Sequence, residues 1–291
     1  ALWQWSVDSP EQFWTSLWDF SGVIATAQGE RVLFNGNKMP GARWFLDARL
    51  NFAQNLLRLR GKSDALVFWG EDKLRLRLTH AELYAAVAQL AAALRGAGIQ
   101  PGDRVAAYLP NLPQAVIAML ATASIGAIFS SASPDFGVQG VLDRFGQIEP
   151  KILIAADGYW YNGKMVDSLE KVAAIVAGLP SVKHTLICGY VHEHHELSHI
   201  RNARLIGDFA APYSQIKEIE FEQLPFDHPL YIMYSSGTTG APKCIVHGAG
   251  GALLQHLKEH QLHGDVKPGD RLFYFTTCGW MMWNWLVSGL A

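Results

Sequence analysis

Residues 104–156 read RVAAYLPNLPQAVIAMLATASIGAIFSSASPDFGVQGVLDRFGQIEPKILIAA. Three short runs in this stretch, Arg104 to Leu109, Ala127 to Ser131 and Ile152 to Ala156, are apolar at nearly every position instead of alternating. That is the pattern of strands covered on both faces. The segments between them, Pro113 to Ile125 and Gly137 to Gln147, have the length of helices, and Pro113 stands where a first helical turn tolerates proline. A further helix over Leu169 to Ala177 and a strand over Val182 to Cys188 continue the order. Strands alternating with helices predict parallel pairing through right-handed crossovers. The expected fold is α/β, with mostly parallel sheets covered by helices.

Upstream, Thr79 with Glu82 forms a capping box, and Leu83, Val87, Leu90, Ala91 and Leu94 make one apolar stripe that ends at Gly96 and Gly98. Residues 65–69 and 74–78 read as strands. Residues 1–60 read as an irregular, aromatic-rich segment with a short helix over Pro10 to Phe20, Ser9 being its cap, and form a unit distinct from residues 61–291. Downstream, residues 189–228 are less regular. Strands are expected over 230–234, 245–247 and 271–275, and a helix over 252–262.

The 24 basic and 26 acidic residues are nearly balanced and form no cationic run, which argues against nucleic-acid and membrane partners and for small-molecule substrates. Cys188, Cys244 and Cys278 are widely spaced and odd in number, so a reducing, cytoplasmic setting without a disulfide framework is expected. No stretch has the charge-free apolar length of about 18 residues that a membrane span needs, and no leader pattern opens the chain.

The chemistry concentrates in Tyr234-Ser-Ser-Gly-Thr-Thr-Gly-Ala-Pro-Lys243. Gly237 and Gly240 let the backbone turn and bring N–H groups to phosphate oxygens, and Ser235, Ser236, Thr238 and Thr239 add short hydroxyls. Thr239 is also a candidate magnesium ligand, and Lys243 supplies positive charge. The spacing is not that of a Walker loop, because Lys243 stands three residues past Gly240 and a strand follows. A plain surface turn is the bland alternative, disfavoured by the unbroken run of hydroxyl and glycine residues.

Ser235-Ser-Gly-Thr-Thr-Gly-Ala-Pro-Lys243 resembles the phosphate-loop signature of the adenylate-forming enzymes, which include acyl-CoA synthetases, luciferases and peptide-synthetase adenylation domains. Leu78 to Leu83, Gly102 to Ala106 and Ala123 to Ile128 are similar to further segments of that family. Lys243 to Gly251, Gln255 to His260, Gly41 to Phe45 and Arg49 to Asn55 resemble its acetate and acetoacetate branch. Thr276-Thr-Cys-Gly-Trp-Met-Met-Trp-Asn-Trp285 is more similar to acetoacetate-activating members.

The resemblance implies the N-terminal part of the large domain of such an enzyme, within a longer protein. It implies ATP, Mg2+ and CoA as substrates and cofactor, and ligation of acetoacetate to CoA through an acyl-adenylate. Thr239 and Lys243 become the catalytic candidates. Trp280, Met281 and Met282, with His247 as a wall residue, become candidates for the acyl pocket and CoA tunnel, although an aromatic and methionine run is as readily plain core. The turn Tyr161-Asn162-Gly163-Lys164 holds the place of a basic CoA-binding turn. Related acetyl-CoA synthetases tend to carry arginine where this chain has Tyr161, and Lys164 can equally be a solvated lysine. His195 and His199 are four apart, a spacing that suits two metal ligands on one helix face; the family's oxygen-held magnesium argues against that use. An acetyl- or propionyl-CoA synthetase, or a non-catalytic nucleotide- or CoA-binding module, remains an alternative.

Overall fold

The computed structural model describes residues 1–235 and 240–291. Two helices open the chain, α1 (Leu2–Asp8) and α2 (Pro10–Phe20), followed by α3 (Phe52–Leu56). An antiparallel hairpin, β1 (Asp64–Gly70) and β2 (Leu74–Thr79), leads into α4 (His80–Gly96). Then come β3 (Arg104–Tyr108), α5 (Pro113–Ser124), β4 (Ile128–Ala132), α6 (Val138–Phe145) and β5 (Ile152–Ala156). A second hairpin, β6 (Gly158–Tyr161) and β7 (Lys164–Asp167), precedes α7 (Leu169–Ala177) and β8 (His184–Cys188). The chain finishes with β9 (Ala203–Leu205), α8 (Ile206–Ala210), β10 (Pro229–Ser235), β11 (Lys243–Gly248), α9 (Ala249–Lys258) and α10 (Met281–Val287).

Among the described residues, seven strands form the main sheet in the order β9-β8-β5-β3-β4-β10-β11. All neighbours are parallel except β10 and β11, which form an antiparallel hairpin at one edge. The apolar runs have the expected cause. On β3, Val105 and Ala107 join the layer of α4 and α5, whereas Ala106 and Tyr108 join the layer of α6 and α7. On β5, Ile152, Ile154 and Ala156 face the first layer, and Leu153 and Ala155 the second. Period-two alternation is hidden because both faces are dry.

The N-terminal segment joins the core through rings and buried amides. Trp18, Phe45 and Phe226 pack together, with Phe45 and Phe226 centroids 5.0 Å apart. Buried Asn51 caps α3 through Gln54 N–H, while its Nδ2 donates to the carbonyls of Ala123, Ser124 and Glu222. Asn55 Oδ1 accepts from Ile24 N–H, and its Nδ2 donates back to Ile24 O.

Several boundaries differ from expectation. The first segment holds α1 as well as the expected α2, and the Ser9 side chain makes no capping bond. The capping box at Thr79 is present in full. Residues 271–275 form no strand, since no described strand lies beside them to complete a ladder, and Phe273 and Phe275 are exposed. The stretch around His195 and His199 is turns and bends, so helical spacing does not apply there. The expected helix over 252–262 starts earlier, at Ala249, and ends in a π-turn over Glu259–His263.

Candidate functional site

Because β8, β5, β3, β4 and β10 run the same way, the loops that leave their carboxyl ends share one rim of the sheet. Open α/β sheets bind ligands along that rim, where connections diverge to opposite faces. Here the divergence falls at β3, whose following helix α5 lies in one layer while α6, after the adjacent β4, lies in the other.

The phosphate-loop candidate joins β10 to β11. Ser235 and Lys243 stand opposite each other as the last pair of that hairpin, so the loop is pinned at its base. Gly240 has φ +92 and open space where a Cβ would lie, a conformation costly for other residues. Ser236, Gly237, Thr238 and Thr239 lie outside the described residues. The base is braced by residues that the sequence did not single out. Gln147 Nε2 donates to Pro242 O at 2.8 Å. The Arg144 guanidinium lies 4.4 Å from the Phe136 ring centroid and 5.9 Å from that of Tyr234. Burial raises the Tyr234 phenol well above its ordinary pKa, so it stays protonated; Ser130 Oγ donates to it at 3.0 Å.

The aromatic run reaches the same rim. Ser131 Oγ, on β4, donates to Cys278 O at 2.6 Å. Trp283 is fully buried, stacks on Phe129, and donates from Nε1 to Asn111 Oδ1 at 2.9 Å, just past β3. Gly279 lies beside Ser133 N and the Phe136 ring, where a Cβ would make ordinary contacts at 3.4 and 3.5 Å. This places Trp280, the first cap residue of α10, over the end of β4 with 62% of its surface exposed. Met281 is exposed and Met282 half-buried. Within this run Trp283 is core, and Trp280 with Met281 is the part open to a ligand. His247 is elsewhere: it pairs with Tyr231 four residues down β11 from Lys243, about 13 Å along the strand, and its half-buried ring packs on Tyr231. Burial lowers its pKa.

Tyr161 and Lys164 close the β6–β7 hairpin, and both turn residues are left-handed, Asn162 at φ +51 and Gly163 at φ +74. Asn-Gly in such a turn matches strand twist. Tyr161 is 69% exposed. The turn follows β5, so it shares the rim with the phosphate hairpin but is separated from it in the sheet by β3 and β4.

The two histidines at metal-ligand spacing each face a carboxylate. His195 Nε2 meets the fully buried Asp157 at 2.9 Å, and His199 Nε2 lies 3.7 Å from Glu170; nearby, His192 Nε2 meets Asp167 at 2.6 Å. Asp157 also accepts from the backbone N–H groups of Tyr190, Val191 and His192. Among the described residues no cluster has the makings of a metal site. The one sequence sign of Asp157's role was a carboxylate directly after a wholly buried strand.

The chain belongs to the AMP-binding enzyme family, whose match spans residues 56–291, and residues 1–56 match the acetyl-coenzyme A synthetase N-terminus. It is 56% identical to the acetoacetyl-coenzyme A synthetase of Rhizobium meliloti and 49% identical to the acetoacetyl-CoA synthetase of Gallus gallus, in each case over the whole chain and 44% of the relative. The malonamoyl-CoA synthetase of Penicillium aethiopicum is 43% identical over the whole chain and 42% of that protein. The solved acetoacetyl-CoA synthetase from Streptomyces lividans superposes with a TM-score of 0.93 at 44% identity, covering 99% of this chain and 44% of that one. The chain thus spans less than half the length of the relatives it matches.

Proposed function

We propose that the protein containing this chain is an acid–thiol ligase that joins a short 3-oxo acid, acetoacetate foremost, to CoA. The observation that carries this is the shared rim: a pinned hydroxyl- and glycine-rich hairpin with Lys243 and a basic turn leave the carboxyl edge of one sheet, and the segment bearing the exposed Trp280 packs against the same edge. The relatives' names add chemistry. Acetoacetate and malonamate both carry a carbonyl at carbon 3, so a pocket built for that carbonyl serves either acid.

In the first half-reaction a carboxylate oxygen attacks the α-phosphorus of ATP, the bond to the β-phosphate breaks, and pyrophosphate leaves. In the second, the CoA sulfur attacks the acyl carbon, the acyl–oxygen bond to AMP breaks, and the thiol proton goes to solvent. The first step requires charge to be neutralised around three phosphates, so positioning and electrostatics dominate. Lys243 supplies positive charge from the base of the hairpin, and Ser235 with the loop hydroxyls supplies hydrogen bonds to phosphate oxygens. Magnesium accompanying ATP would supply further neutralisation, with Thr239 as its candidate protein ligand. The two steps use no enzyme thiol; Cys278 and Cys188 are buried, and burial raises both thiols. Trp280 and Met281 line the acyl side. The Tyr161–Lys164 turn receives the phosphate-bearing end of CoA. Among the described residues no helix is long and apolar enough to cross a membrane, and a cytoplasmic enzyme fits three unpaired cysteines.

Pyrophosphate exchange by the full-length enzyme with acetoacetate, malonamate, acetate, propionate and butyrate tests this reading. Preference for the two 3-oxo acids is expected. Preference for acetate or propionate would replace the substrate assignment, and no exchange with any acid would remove the activity.

A further inference from the structure

Two hairpins far apart in sequence meet at their tips. Glu71, between β1 and β2, accepts a hydrogen bond from Gly163 N–H at 2.8 Å. Lys73, from the same tip, places its ammonium 5.4 Å from the Trp160 ring centroid. In a two-residue hairpin the flanking residues, here Tyr161 and Lys164, pair with each other, and the N–H of the second turn residue points away from the ladder. Gly163 N–H is therefore open to an outside partner, and Glu71 takes it. The base of the hairpin is fastened from the other side. Asp167 meets His192, Ser168 N–H donates to Asp157 O, and Gly158 packs so tightly on Val191 that a Cβ would approach its Cγ2 to 2.5 Å. The tip has no such support from the main sheet among the described contacts; it is held from the β1–β2 hairpin.

We infer that Glu71 is a positioning residue for the thiol co-substrate: its carboxylate fixes the turn so that the Lys164 ammonium is presented to a phosphate of CoA. This rests on the reading of the Tyr161–Lys164 turn given above. Glu71 carries a negative charge beside a site for an anion, which by itself weakens binding. The hydrogen bond to Gly163 must outweigh that repulsion, and this separates acceptor from charge in a test. Glutamine keeps the acceptor and removes the charge, whereas alanine removes both.

The test is steady-state kinetics of the full-length enzyme, with the acid and ATP saturating and CoA varied, for Glu71→Ala, Glu71→Gln and Lys164→Ala, with melting temperatures to confirm folding. Glu71→Ala is expected to raise KM for CoA about fivefold, the worth of one ordinary hydrogen bond, with kcat and KM for ATP unmoved. Glu71→Gln is expected to give a KM for CoA at or below that of the unmodified enzyme. A raised KM in Lys164→Ala with an unchanged or lowered KM in Glu71→Ala would overturn the inference while keeping the turn as the CoA site. Equal increases in Glu71→Ala and Glu71→Gln would also overturn it, because the acceptor would then not matter. An unchanged KM in Lys164→Ala would overturn the reading of the turn and the inference with it.

Discussion

Trp283 donates its indole N–H to Asn111 Oδ1 at 2.9 Å, joining the helix that follows Trp280 to the loop after β3 across 172 residues of sequence. The indole is fully buried, but Asn111 is exposed, so truncating it lets water replace the bond in part. Asn111→Ala is expected to destabilise the full-length enzyme by about 0.5–1.5 kcal/mol, the net worth of one hydrogen bond, and to raise KM for the acid. Asn111→Asp keeps an acceptor and should retain most of the stability. Denaturant unfolding paired with acid kinetics checks both; an Asn111→Ala enzyme as stable as the parent would show that the bond is not needed to hold α10.

Lys243 closes the β10–β11 hairpin, the candidate phosphate site, opposite Ser235. Removing one preorganised cation at a site of developing phosphate charge typically costs about 10²-fold in rate. Lys243→Ala is expected to lower pyrophosphate exchange by that order, with Lys243→Arg retaining more. An exchange rate in Lys243→Ala equal to the parent's would take the ammonium off the phosphates.

His256 is buried, with its Nδ1 2.9 Å from Ser288 Oγ, and burial, followed by the neighbouring His260 and His247, pushes its pKa down to about 4. Its folded pKa lies below the unfolded value of 6.5, so the unfolded chain binds the proton more readily. Stability is therefore full above about pH 6.5 and falls as the pH drops toward 4, by about 2 kcal/mol between pH 7 and pH 5 from this group. Urea unfolding at the two pH values tests the sign. A His256→Gln variant should show a shallower decline, and an equal decline would assign the loss to other groups.

Gly250 lies in the first turn of α9, where helix propensity alone favours alanine by up to about 1 kcal/mol. A Cβ there would stand 2.2 Å from the Phe226 ring, which is itself held by Trp18 and Phe45. Gly250→Ala is thus expected to destabilise by about 1–3 kcal/mol, the usual cost of overpacking. A raised melting temperature would mean that the ring moves aside freely.

Asp157 accepts from three backbone N–H groups and faces His195, with no exposed surface. Asp157→Ala strands those donors at the foot of the β6–β7 hairpin and is expected to cost about 3 kcal/mol or more. Thermal unfolding measures the loss, and limited proteolysis should find the first cleavages in residues 189–195. Proteolysis that begins elsewhere would separate Asp157 from the order of that loop.

The sequence by itself determined the α/β order from Arg104 to Cys188, the capping box at Thr79 and the strands that flank the candidate phosphate loop, because these are written in short-range terms: apolar runs and a four-residue cap. It left Asn51, Asn111, Asp157 and Glu71 unmarked. Their partners are distant in the chain, and a lone polar residue reads the same whether it is solvated or holds a buried donor. It also read residues 271–275 as a strand, because β propensity is local whereas a strand exists only with a ladder partner. The same distinction divides the candidate site. Lys243, Trp280 and Lys164 are separate signals along the chain; the parallel direction of β5 and β10 brings the loops of Lys164 and Lys243 to one rim, and the contact of Cys278 with Ser131 brings Trp280 there. Trp280 and Trp283 are chemically alike in sequence. The sheet decides between them, exposing the first over the end of β4 and burying the second against Phe129, since which ring meets a ligand and which fills the core depends on what the chain packs behind it.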